Sequence, residues 1–161
     1  MTTNTKADLE ILRTLELCRD IELYNAELYR YYAEIFQCSD PELSAMWQKT
    51  ADEEDNHANQ FVLAIKLRKQ NLILHVGIDS FRATTTLNFV KSIFDGVRKN
   101  KPSAVDALRS AIKLEMQLEG LHMDSIAFFN DETHRKLFEA MMKADNAHLE
   151  RIQEAYKLRL R

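Results

Sequence analysis

Two short stretches carry the residues best able to do chemistry. Glu54 and His57 stand three residues apart inside Ala51-Asp52-Glu53-Glu54-Asp55-Asn56-His57-Ala58, and Asp145 and His148 repeat the spacing near the C-terminus. On a helix, residues three apart share a face. Both faces are otherwise apolar, with Trp47 and Phe61 flanking the first pair and Phe138 and Ile152 the second. A carboxylate and an imidazole inside a buried stripe are costly unless something compensates their charge and hydrogen bonds. Two such pairs point to two metal ions held between helices.

Two further acids complete the set. Glu22 and Glu115 each lie near the middle of another helical run. In an antiparallel bundle the midpoints share one layer, so Glu22, Glu54, His57, Glu115, Asp145 and His148 are expected to converge. Four carboxylates alone would repel one another and take up protons. Two divalent ions would supply the matching positive charge. Mixed imidazole and carboxylate ligation suits iron, manganese or zinc better than calcium or magnesium.

The elements that must position these residues follow from periodicity. The first helix is predicted from about Lys6 to Gln37, with Thr5 as N-cap and Leu15, Cys18, Glu22, Ala26, Tyr29, Ala33 and Phe36 inward. Asp40-Pro41-Glu42 restarts the chain as cap, first helical position and dipole partner. The second helix is predicted to about Lys69, antiparallel to the first. Residues 70–101 read as a crossover, with a short helix over Thr84 to Arg98. Ser103 and Asp106 start a third long helix presenting Leu108, Ala111, Glu115, Leu118, His122, Ile126 and Phe129. A fourth, capped by Asp131, presents Phe138, Met141, Asp145, His148, Ile152 and Tyr156. The halves form a pseudo-repeat: Glu22 pairs with Glu115, and Tyr29 and His122 each follow seven residues later.

Composition agrees with long helices. The 161 residues include only 3 Gly and 2 Pro, too few for the turns of an all-β chain. The length fits one domain over 1–161. A formal charge of -3 with no basic block excludes an electrostatic nucleic-acid footprint. No apolar run approaches a membrane span and Met1 to Asp8 is polar, so a cytoplasmic location is expected. Cys18 reads as a small core residue. The runs Asp52-Glu53 and Arg159-Leu160-Arg161 read as solvated charge.

The four acids and two histidines match the ligand set of di-iron and di-manganese carboxylate bundles. With these residues, the chain resembles the ferritin-like di-iron carboxylate superfamily, in particular its rubrerythrin branch. The resemblance implies an all-α, ferritin-like four-helix bundle with a long crossover containing a short extra helix. It implies two iron ions per chain, with manganese or zinc as substitutes. Glu22 and Glu115 look like the terminal carboxylates, Glu54 and Asp145 the bridging positions, and His57 and His148 the imidazole ligands. Tyr29 and His122 are expected beside the ligands, as hydrogen-bond donors or packing groups.

The chain departs from rubrerythrins proper in three ways. Two cysteines cannot build the four-cysteine rubredoxin site. Leu118 stands where the family has an extra glutamate, with Glu119 beside it, and Asp145 is one methylene shorter than glutamate. The implied activity is an oxidase or peroxidase reducing hydrogen peroxide or oxygen, fed by an external electron-donor protein. A ferroxidase or iron-storage protein is the second reading, and a helical interaction module with a structural metal the third. A homodimer or larger homo-oligomer is expected.

Overall fold

Capping and breaking residues set the element boundaries. The computed structural model describes residues 5–118, 121, 127–129, 132–133, 135–136 and 147–161. α1 runs Lys6–Phe36; the Thr5 side chain accepts from the Asp8 backbone N–H, and Asp8 returns the bond to the Thr5 backbone. α2 runs Pro41–Lys69, with the Asp40 carboxylate accepting from the Leu43 N–H at 3.0 Å and Pro41 in the first turn. Lys66, Arg68 and Lys69 occupy its last turn, where they complement the dipole. Asn71 then adopts a left-handed φ of 61°, which lets the chain reverse.

The crossover holds more structure than the pattern predicts. β1 (Ile73–Val76) precedes α3 (Ser80–Lys99), which extends beyond the expected Thr84–Arg98 and is capped by Asp79. α4 (Ala104–Leu118) begins where Ser103 Oγ accepts from the Asp106 N–H at 3.1 Å. β2 (Ala127–Phe129) and α5 (His148–Arg159) follow among the described residues.

The expected third helix, continuous to Phe129, needs correction. Ala127–Phe129 forms a strand, antiparallel to β1, with Ile73 opposite Phe129 and Val76 opposite Ala127. A short apolar run satisfies a helix period and a strand equally well; its own two phenylalanines and the β-branched Ile73 and Val76 of its partner favour pairing. His122, Glu119, Ile126, Phe138, Met141 and Asp145 lie outside the described residues.

The architecture is nonetheless the all-α, ferritin-like bundle that the sequence predicts, with one two-stranded ribbon attached. α1 packs along α2 and α4 packs on α5, while α3 lies across α1. The predicted inward line of α1 is buried throughout, as are Leu43, Trp47, Phe61, Ala64 and Ile65 of α2. The larger core cluster joins these helices to Leu87, Val90 and Phe94 of α3, to Leu108, Ala111 and Leu114 of α4, and to Ile152 of α5. No helix among the described residues is long and apolar enough to cross a membrane.

Arg159 is not simply solvated. It donates from Nη2 and Nε to Asp40 Oδ2 at 2.8 and 3.0 Å, tying the end of α5 to the turn between α1 and α2. Burial would raise the Asp40 carboxyl, but Arg159 and the Leu43 N–H outweigh it and hold it below its usual value. Asp40 therefore contributes stability above the unfolded-state value near 3.8 that is lost as pH falls through the folded value. Asp40→Ala is expected to lose about 1–2 kcal/mol, mostly from the cap. Asp40→Asn, which still caps, should lose less. Urea unfolding at pH 7 and pH 3 checks both, and equal losses at the two pH values would rule out the ionised pair.

Candidate metal centre

Five of the six residues singled out for chemistry lie within the described chain, and the fold brings all five together. α1 contributes Glu22, α2 Glu54 and His57, α4 Glu115, and α5 His148 in its first turn. All are buried, none exposing more than 4% of its surface. They divide into two groups, Glu22–Glu54–His57 and Glu54–Glu115–His148. Within each, one ligand atom per residue lies within 4.8 Å of the others. Two ligands of one ion, each about 2.1 Å from it, stand at most about 4.2 Å apart. Small side-chain shifts therefore suffice to close either group on an ion.

Glu54 belongs to both groups. Its Oε2 lies 3.0 Å from His57 Nδ1, and its Oε1 lies 3.5 Å from His148 Nε2. His57 Nδ1 is also 3.8 Å from Glu22 Oε2, and His148 Nε2 is 2.8 Å from Glu115 Oε2. The two imidazole rings are 5.7 Å apart, centroid to centroid. Each carboxylate thus faces an imidazole from another helix or from its own next turn.

The electrostatics describe a site short of positive charge. Burial, then the charges of Glu115 and Glu22, hold Glu54 well above the ordinary carboxylate range. Burial would lower both histidines, but hydrogen bonding and charge reverse this. Glu22 and Glu54 push His57 up to about 11, and Glu115 and Glu54 push His148 up to about 9. Burial would likewise raise Glu115, but His148 and the Tyr29 hydroxyl bring it below its usual value. Protons on the imidazoles here take the place of cations. Glu54 Oε1 is buried and accepts no hydrogen bond among the described residues. An oxygen that accepts no hydrogen bond and sits between two carboxylate–imidazole groups fits a divalent metal, and the donor set suits iron, manganese or zinc.

A supporting shell surrounds the five. The Tyr29 hydroxyl donates to Glu115 Oε1, reaching from α1 across to α4. Burial, then the Glu115 and Glu54 charges, keep its proton in place far above the ordinary range. Asn25 Nδ2 donates to the same oxygen at 3.3 Å. Asn25 was missed in the sequence, although it stands three residues after Glu22 and on the same face. Glu53 corrects a second reading: instead of pointing to solvent, it accepts from Arg151 Nη2 and lies 3.9 Å from His148 Nδ1. Such a carboxylate can fix a ligating imidazole's orientation. His75 lies in β1, exposed and away from the centre.

Residues 14–156, which include all six residues, match the family model of rubrerythrin. No curated protein and no solved structure matches the chain.

Metal binding must displace the protons held here. At pH 7 both imidazoles are protonated in the metal-free protein, since their values near 11 and 9 lie above that pH. Loading with zinc should release about two protons per chain from the imidazoles, with a further contribution from Glu54. Affinity should weaken as pH falls. Calorimetric titration in buffers of different ionisation enthalpy counts the protons. Binding with no proton release would show that these imidazoles are not displaced by metal.

Proposed function

We propose that this chain, which belongs to the rubrerythrin family, holds two iron ions and reduces hydrogen peroxide or oxygen with electrons from an external donor. The observation that carries the reading is Glu54, which turns one oxygen toward each of the two histidines. In this reading Glu54 would be shared by two metal positions, with Glu22 and His57 as the remaining ligands of one and Glu115 and His148 of the other. Asp145, outside the described residues, would add a fourth carboxylate by its place in the pseudo-repeat. Bound there, two ferrous ions would supply the two electrons that cleave an O–O bond.

The chain's own residues do the rest. Three buried carboxylates offset much of the positive charge of two divalent ions. Tyr29 and Asn25 both donate to Glu115 Oε1, which leaves Oε2 facing His148. Glu115 is thereby directed toward one ion, whereas Glu54, with Oε1 accepting no hydrogen bond among the described residues, can reach both. Glu53, held by Arg151, faces the Nδ1 side of His148 and favours Nε2 as its ligating atom. The Tyr29 hydroxyl holds a proton against Glu115 Oε1, beside the centre, where it would be within one hydrogen bond of a ligating carboxylate. In this reading the electrons come from an external donor, since the two cysteines of this sequence cannot form a rubredoxin site and it carries no glycine-rich dinucleotide fingerprint.

Anaerobic loading with ferrous iron should give about two ions per chain. Glu54→Ala should lose the pairing and retain at most about one. Metal content and Mössbauer spectra measure both. Two coupled irons in Glu54→Ala would overturn the bridging role, and wild-type protein that retains no iron would overturn the reading as a whole. Stopped-flow mixing of the loaded protein with peroxide and with oxygen identifies the preferred oxidant. Its particle mass separates a small oligomer from a storage shell.

A further inference from the structure

The aromatic residues beside the centre form an unbroken chain. Tyr29 stacks on Trp47, with ring centroids 5.2 Å apart and planes 20° apart. Trp47 meets Tyr32 at 5.0 Å, and Tyr32 meets Tyr31 at 6.4 Å. Tyr29, Trp47 and Tyr32 are fully buried, whereas Tyr31 is half-buried beside Phe94 of α3. One end touches the centre through the hydrogen bond from Tyr29 to Glu115. The other reaches the outside of α1 at Tyr31, whose hydroxyl donates to the Val97 carbonyl at 3.2 Å.

Packing among the described residues does not use the polar groups of two of these side chains. Trp47 Nε1 and the Tyr32 hydroxyl are buried without a hydrogen-bond partner among the described residues. An unpaired buried donor costs about 1–3 kcal/mol. Phenylalanine would fill much of the same space without that loss. What indole and phenol add to a benzene ring is the ability to give up one electron to a strong oxidant. Trp47 is also the only tryptophan in the chain, and it lies between two of the five tyrosines.

We propose that Tyr29, Trp47 and Tyr32 relay single electrons from the surface at Tyr31 to the carboxylate–histidine centre. The relay rests on the reading of that centre as a redox metal site. In each passage Tyr29 gives one electron toward the centre and its phenolic proton to Glu115 Oε1. The resulting phenoxyl recovers the proton from Glu115 as an electron arrives through the Trp47 and Tyr32 rings from a one-electron reductant in solution at Tyr31. The indole is a bridge for that electron and does not accumulate as a radical cation, because the phenoxyl is the weaker oxidant of the two and the indole N–H has no acceptor among the described residues. Hydrogen peroxide is the final oxidant: two passages and two solvent protons break its O–O bond and yield two waters.

The full chain, purified without added metal, tests the relay by flash photo-oxidation with a soluble ruthenium polypyridyl sensitiser and persulfate. Transient absorption follows the indole cation and electron paramagnetic resonance the phenoxyl. In the wild type the indole signal should decay as a tyrosyl radical rises. Tyr29→Phe should remove that tyrosyl product and lengthen the life of the indole cation. Trp47→Phe, which keeps an aromatic ring in the stack, should lose most of the Tyr29 radical. Tyr32→Phe provides a second, milder variant and should slow oxidation of Trp47. A wild type without coupled indole decay and tyrosyl rise would overturn the relay, as would an unchanged Tyr29 radical in folded Trp47→Phe. Because no metal is used, failure here leaves the metal reading standing, and failure to load iron leaves this result standing.

Discussion

Three carboxylates and two imidazoles share one buried layer between helices, and the rest of the fold is arranged around that constraint. Isolated charges in such a place would be neutralised or expelled. Here each acid is held opposite an imidazole, and Glu54 faces both of them. The raised values of His57 and His148 and the raised value of Glu54 have one origin: buried negative charge seeking compensation. A pair of divalent ions would answer the same demand in the proposed metal-loaded protein.

Holding that layer together requires helices that start and stop at set points. Caps at Thr5, Asp40, Asp79 and Ser103 begin four helices, and the Asp40–Arg159 pair ties the last helix to the first turn. The crossover serves the same end. Its helix α3 covers one flank of α1 with Leu87, Val90 and Phe94, and its strand β1 pairs with β2 at the other end of the core. Above the acids, Tyr29, Trp47 and Tyr32 seal the α1–α2 interface with aromatic surface. That seal keeps the local dielectric low, which strengthens every charge–charge contact below it.

Much of this was legible in the sequence. The first two helices, their caps and their buried faces follow from periodicity and from Asp40-Pro41, because such signals are local. Glu22, Glu54, His57, Glu115 and His148 could be read together because a mid-helix acid on an apolar stripe is unusual, and four at matching depth are more so. The pairing of β1 with β2 was not legible. It joins segments more than fifty residues apart, and runs of three or four residues carry no period long enough to distinguish strand from helix.

The sequence by itself determined which residues share a helical face, since 3.6 residues per turn and the positions of apolar side chains leave little choice. It could not determine how each helix is rotated against its neighbour. That rotation, set by side-chain packing between helices, decided that Glu115 meets His148 and that Tyr29 of α1 reaches Glu115 of α4. It also brought Asn25 into the centre and turned Glu53 from solvent toward Arg151 and His148. Glu53 lies next to Glu54, about 100° around the helix from it. Only the tertiary structure places another helix on that side, and with it the contact that makes Glu53 part of the site.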